Sequence, residues 1–141
     1  MNKKSLLKHL VFMMFFIFLA NFLILKFYWY SLIWYLDIVM HFLGGFWVGL
    51  FFLYVFFRKE QPSFTSGLFF KLLFITLLVG LLWELYEFLL NIIAITPFNL
   101  NDTISDIFSS LLGSTVSVFY FLKIIMSAPL NKVQLKNEPQ S

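Results

Sequence analysis

The sequence predicts an all-α fold, an integral membrane four-helix bundle with both termini in the cytoplasm. Three observations predict it. Apolar residues make up 61% of the 141 positions and charged residues 12%, against about 45–50% and about 25% in soluble domains. Four apolar runs are each long enough to cross a hydrocarbon core of about 30 Å as a helix. The basic residues alternate sides from one run to the next. Open strands cannot satisfy their backbone groups in lipid, so helices are the consistent reading.

The first run is about 9–26, "HLVFMMFFIFLANFLILK". Lysines before an apolar stretch also suit a signal peptide. This stretch is longer than a 7–15-residue signal core and no A-x-A site follows it, so it reads as an uncleaved first membrane helix. The second run is about 37–57, behind the aromatic lead-in "FYWYSLIWYL". The third is about 68–90 and the fourth about 103–126. Residues 58–67 and 91–102 connect them and carry turn chemistry in Pro62, Gly67 and Pro97. Residues 1–126 thus form a single four-helix transmembrane domain, and 127–141 a polar cytoplasmic tail.

Charge sets the orientation. Lys3, Lys4 and Lys8 precede the first run; Arg58, Lys59 and Lys71 flank the connection of the second and third; Lys123, Lys132 and Lys136 follow the fourth. Only Lys26 falls on the other side. The positive-inside rule places the basic side in the cytoplasm. The net charge of +3 therefore needs no nucleic-acid partner, and membrane lipid is the expected surrounding. The absence of cysteine excludes disulfides, thiol catalysis and Cys-bound zinc.

Five of the seven acids then fall in one layer, at the extracytoplasmic end. Asp37 and His41 open the second run, Glu84 and Glu87 close the third, and Asp102 and Asp106 open the fourth. Each pair has i, i+3 or i+4 spacing and so shares a helix face. Asp102 with Thr103 also suits a helix cap, and Thr103 with Asp106 a capping box. A carboxylate at the bilayer centre costs about 2.5–3.5 kcal/mol on insertion scales, and such groups turn to the bundle interior. Five bare carboxylates beside one imidazole cannot share so small a volume. Either several are protonated or a bound cation completes the site. Carboxylates with one imidazole suit hard or borderline divalent metals, and helical bundles assemble such ligand sets from facing helices.

The small residues read as packing devices. Gly45-x-x-x-Gly49 and the Ser109, Gly113, Ser117 stripe are close-approach patterns, and Asp106 shares the serine face. Gly44 reads first as packing, with close approach of backbone to a ligand as the alternative. Trp34, Tyr35, Trp83 and Tyr86 suit an outer aromatic belt, or the wall of a headgroup pocket.

The segments "DIVMHFLGGF", "WELYE" and "NDTISDIFSSLLG" resemble the YjdF-type family of bacterial inner-membrane proteins. Its Asp-x-x-x-His-Phe, Glu-x-x-Glu and Asp-Thr-x-x-Asp segments fall on Asp37, His41, Phe42, Glu84, Glu87, Asp102, Thr103 and Asp106, with Gly113 following. The resemblance covers the second to fourth runs and implies a bacterial inner-membrane protein with these residues as its site. It implies no reaction. The pattern is more distantly similar to VanZ-like cell-envelope proteins, which usually carry an Asn after the last Asp that this chain lacks.

The expected function is a multi-pass membrane protein whose Asp37, His41, Glu84, Glu87, Asp102 and Asp106 hold a divalent metal ion. Its ligand would be a lipid or lipid-linked envelope headgroup. As an enzyme it would use Glu84 or Glu87 as base, with Asp37, His41 and Asp106 on the metal. A proton- or cation-coupled transporter subunit is an alternative, although Asn21 and Ser117 make no continuous polar path inward. A structural protein whose acids form an interhelical hydrogen-bond network is another. The orientation has a direct test in this cysteine-free chain. Asn99→Cys should react with an impermeant thiol reagent applied to intact cells. Reaction only after permeabilisation would reverse the topology.

Overall fold

The computed structural model describes residues 3–57, 65–94 and 99–123. The chain forms α1 (Lys3–Lys26), a single turn α2 (Trp29–Leu32), α3 (Leu36–Phe56), α4 (Ser66–Ala94) and α5 (Leu100–Phe121). Among the described residues there is no strand. Helices α1, α3, α4 and α5 are long and apolar enough to cross a membrane.

The helix ends differ from expectation for local reasons. Helix α1 starts at Lys3 rather than near residue 9, and Leu6 of the added turns is buried in the core beside Leu10. Helix α5 starts at Leu100 because Asn99, not Asp102, is its cap. Asn99 is extended at φ −117°, and its side chain accepts from the Asn101 backbone N–H at 3.2 Å. Asp102 instead lies in the first turn, where a carboxylate still favours the positive end of the helix. Residues 124–126 of the fourth run and the tail at 127–141 lie outside the described residues, as does most of the basic connection at 58–64. The aromatic lead-in reverses the chain at Tyr28, a non-glycine residue in the left-handed region at φ 56°.

Packing is organised by α3 and α5. A side chain at Gly45 would collide with the Ser110 backbone carbonyl, and one at Gly113 with the Phe42 carbonyl. At Gly49 it would meet the hydroxyls of Ser114 and Ser117. The two backbones therefore touch, as small residues permit between membrane helices. Serine hydroxyls join them: Ser109 Oγ donates to the Ile38 carbonyl at 2.7 Å and Ser110 Oγ to the His41 carbonyl at 3.2 Å. Such bonds average about 0.6 kcal/mol in membranes, so their larger effect is to set the rotation of α5 on α3.

Helix α4 packs on α5 and α3, with Thr76 Oγ1 donating to Ser114 Oγ at 2.9 Å. Helix α1 packs on α3, where the Trp47 indole N–H donates to the Leu10 carbonyl at 2.9 Å. The backbones of α1 and α4 make no close approach among the described residues. One end of the bundle is closed by a dry core of Leu6, Leu10, Leu50, Leu53, Leu72, Val118 and Phe121. Outward-facing side chains such as Phe12, Phe70 and Phe119 are exposed and supply the lipid-facing surface.

Two neighbouring glycines should separate close packing from helix propensity. Gly45→Ala drives a methyl into backbone and should lower the melting stability in detergent by about 1–3 kcal/mol, as overpacking does. Gly44→Ala meets nothing within 4 Å and should hold or raise it by about 0.5–1 kcal/mol. Equal melting temperatures for the two variants would contradict the packing described.

Candidate metal centre

Each of three helices supplies two polar side chains from one face, and the glycine–serine seam brings those faces together. Asp37 lies in the first turn of α3 and His41 one turn deeper. Their side chains approach to 3.7 Å between His41 Nε2 and Asp37 Oδ1. From α4, Glu84 reaches the same imidazole, at 4.0 Å between Oε1 and Nε2. Asp106 of α5 completes an inner group in which ligand atoms of His41, Glu84 and Asp106 all lie within 4.8 Å of one another. Two overlapping groups of the same tightness, Asp37–His41–Glu87 and Asp37–Asp102–Asp106, take in the remaining acids. All six expected residues are thus gathered at one end of the bundle.

They are not equivalent. Asp106 is 1% exposed, and Glu84 and His41 are each 9% exposed. Asp37 and Glu87 are half-buried and Asp102 is exposed. Glu84 Oε1 and Asp106 Oδ1 are buried without a hydrogen-bond partner, a costly state for carboxylate oxygens. Glu87, by contrast, accepts from the Trp83 indole N–H at 2.7 Å.

The outer acids open onto a cavity of about 870 Å³ walled mainly by α1, α3 and α4, with Asp102 and Ser110 from α5. It runs from Trp34 and Asp102 down to Trp47, Val48 and Thr76. Beyond that depth lies the packed apolar core. No Lys or Arg lines it among the described residues. Trp34, Trp83 and Tyr86 form part of the wall; Tyr35 is exposed and lies off it.

Several wall residues escaped the reading from sequence. Tyr30 donates its hydroxyl to Asn21 Oδ1 at 2.8 Å, bridging the turn to α1. Its phenol is pushed up to about 12, first by burial and then by the nearby Asp37 and Glu87 carboxylates, so it stays a neutral donor. Nothing in local sequence pairs Tyr30 with Asn21, because the contact exists only after the chain reverses at Tyr28. Thr76 and Gly80 were more accessible to inference. They stand eight and four residues before Glu84 and therefore share its stripe. Of the two expectations for Gly44, packing is not met: a Cβ there would touch nothing within 4 Å, and the position lines the cavity.

The inner donor set is one imidazole nitrogen and two carboxylates. Two ligands each about 2.2 Å from one ion are at most about 4.4 Å apart, and the 4.0 Å between His41 Nε2 and Glu84 Oε1 falls inside that limit. The set could hold a divalent cation, while Glu87 and Asp37 face the open side.

No curated protein and no solved structure matches the chain. The family described as "Predicted membrane protein (DUF2238)" matches residues 1–127, which contain every helix and all six polar residues. This multi-pass membrane chain therefore belongs to the DUF2238 family of membrane proteins.

Proposed function

We propose that His41, Glu84 and Asp106 form a divalent-metal centre at the head of a cavity that takes a lipid or lipid-linked headgroup. The observation that carries this reading is the pair of buried, unpartnered oxygens, Glu84 Oε1 and Asp106 Oδ1, beside the His41 imidazole. A protonated hydrogen-bond knot would pair those oxygens with each other or with His41. A cation would satisfy both, offset the like charges and tie α3, α4 and α5 together. The likeness of the three segments to YjdF-type and, more distantly, VanZ-like proteins supports reading them as one site.

The two glutamates take different parts in this reading. Glu84 is enclosed with the imidazole and belongs to the ligand set. Glu87 lines the cavity and is oriented by Trp83, which suits an acid–base group facing a bound headgroup. A bound divalent ion would act as a Lewis acid toward a headgroup oxygen. The transporter alternative is weakened by the apolar core that closes the cavity at mid-bundle. On the positive-inside reading, the acidic end faces away from the cytoplasm.

Melting curves in detergent test the metal. Binding to the native state alone should raise the melting temperature in proportion to the logarithm of free metal. Wild-type protein stripped with chelator should therefore gain stability along a series of added divalent ions. Glu84→Gln and Asp106→Asn should fold but lose that gain. If wild type shows no shift near neutral pH, and the two neutral variants melt at or above it, the acids form a hydrogen-bond network instead.

A further inference from the structure

The cavity has an unusual wall plan. Helix α3 lies between α1 and α4 on its wall, and the backbones of α1 and α4 make no close approach among the described residues. The cavity occupies the groove that this wide separation leaves between them. Its deep part is apolar: Met14, Ile17 and Phe18 from α1 face Val48 and Val79 from α3 and α4. Gly44 and Gly80 keep it wide, since a Cβ at either would meet no neighbouring atom within 4 Å. Close packing elsewhere explains Gly45, Gly49 and Gly113; it does not explain these two.

Depth and charge identify an occupant. Asp37 and Val48 are eleven residues apart on α3, a rise of about 16 Å. That is about half of a 30 Å hydrocarbon core, the reach of one acyl chain in one leaflet. At the mouth stand Asp37, Glu87 and Asp102, with Trp34, Trp83 and Tyr86 beside them and, among the described residues, no Lys or Arg on the wall. Carboxylates among aromatic faces attract an ammonium group by charge and by cation–π contact. An anionic headgroup would meet repulsion there.

We infer that the groove between α1 and α4 admits from the membrane one acyl chain of a phospholipid whose headgroup carries an ammonium, held at the mouth by Asp37 and Glu87. This rests on the proposed function in placing the ligand in the same cavity, but the ammonium contacts involve the outer carboxylates and need no metal.

The test uses the purified full chain in detergent with chelator present. Lysophosphatidylethanolamine and lysophosphatidylglycerol of equal chain length are titrated, and bound lipid is read by native mass spectrometry. Wild type should prefer the ethanolamine lipid by about tenfold. The double variant Asp37→Asn with Glu87→Gln should bind the two lipids equally. Gly44→Leu and Gly80→Leu fill open space and replace glycine by a better helix former. Each should melt no lower than wild type, yet lose binding of both lipids. Equal binding of the two lipids by wild type overturns the inference. So does full binding by Gly44→Leu and Gly80→Leu, or free ethanolamine competing as well as its lipid, which would mark a soluble ligand. A failed metal reading appears only in the metal-dependent melting, so the two outcomes stay separate.

Discussion

The contact between the α3 and α5 backbones governs the rest of this molecule. Gly45 lies on the Ser110 carbonyl and Gly113 on the Phe42 carbonyl, so the seam is set by backbone and cannot yield by rotating a side chain. Serine hydroxyls donating to the carbonyls of Ile38 and His41 then lock the rotation. That rotation points Asp106, one turn above Ser109 and Ser110, at the imidazole of His41. With α5 also bonded to α4 through Ser114 and Thr76, Glu84 has the same inward direction. A carboxylate cluster that would be expelled from lipid is thus held in place by neighbours that gain nothing from its charge.

The same arrangement divides the bundle by height. At one end leucines and phenylalanines fill the space between the helices. At the other end glycines, serines and acids occupy the equivalent positions, leaving a cavity with carboxylates at its mouth and apolar side chains below. Helix α1 makes the division possible. It rests on α3, and its backbone stays away from that of α4 among the described residues, so its upper half walls the cavity. Only 11% of the apolar window of α1 is buried, against 44% for α5, which fits an outer helix facing lipid and an inner one serving the site.

Much of this was legible in the sequence. Four spans follow from hydropathy and length, and the six polar residues follow from spacing, because i, i+3 and i+4 positions share a helix face whatever surrounds them. The glycine–serine seam follows from the same logic. What depended on azimuth and on missing contacts was not legible. Gly44 and Gly45 are adjacent and identical in type, yet one is pressed against backbone and the other faces open space; only the assembled bundle distinguishes them. Asp102 suits a cap as well as Asn99 does until the backbone is seen to turn extended at Asn99. The gap between α1 and α4 is an absence of packing, and no local pattern encodes an absence. The split of the acids into a buried inner group and an outer group at the cavity mouth likewise depends on how far each helix end projects past its neighbours.

The central claim is that the buried oxygens of Glu84 and Asp106 face a cation and not each other. Anomalous diffraction from crystals grown with Mn²⁺ tests it most directly. The account predicts one anomalous peak per chain, enclosed by His41, Glu84 and Asp106. Absence of a peak there, with the Glu84 and Asp106 carboxyl groups hydrogen-bonded to one another, would contradict it.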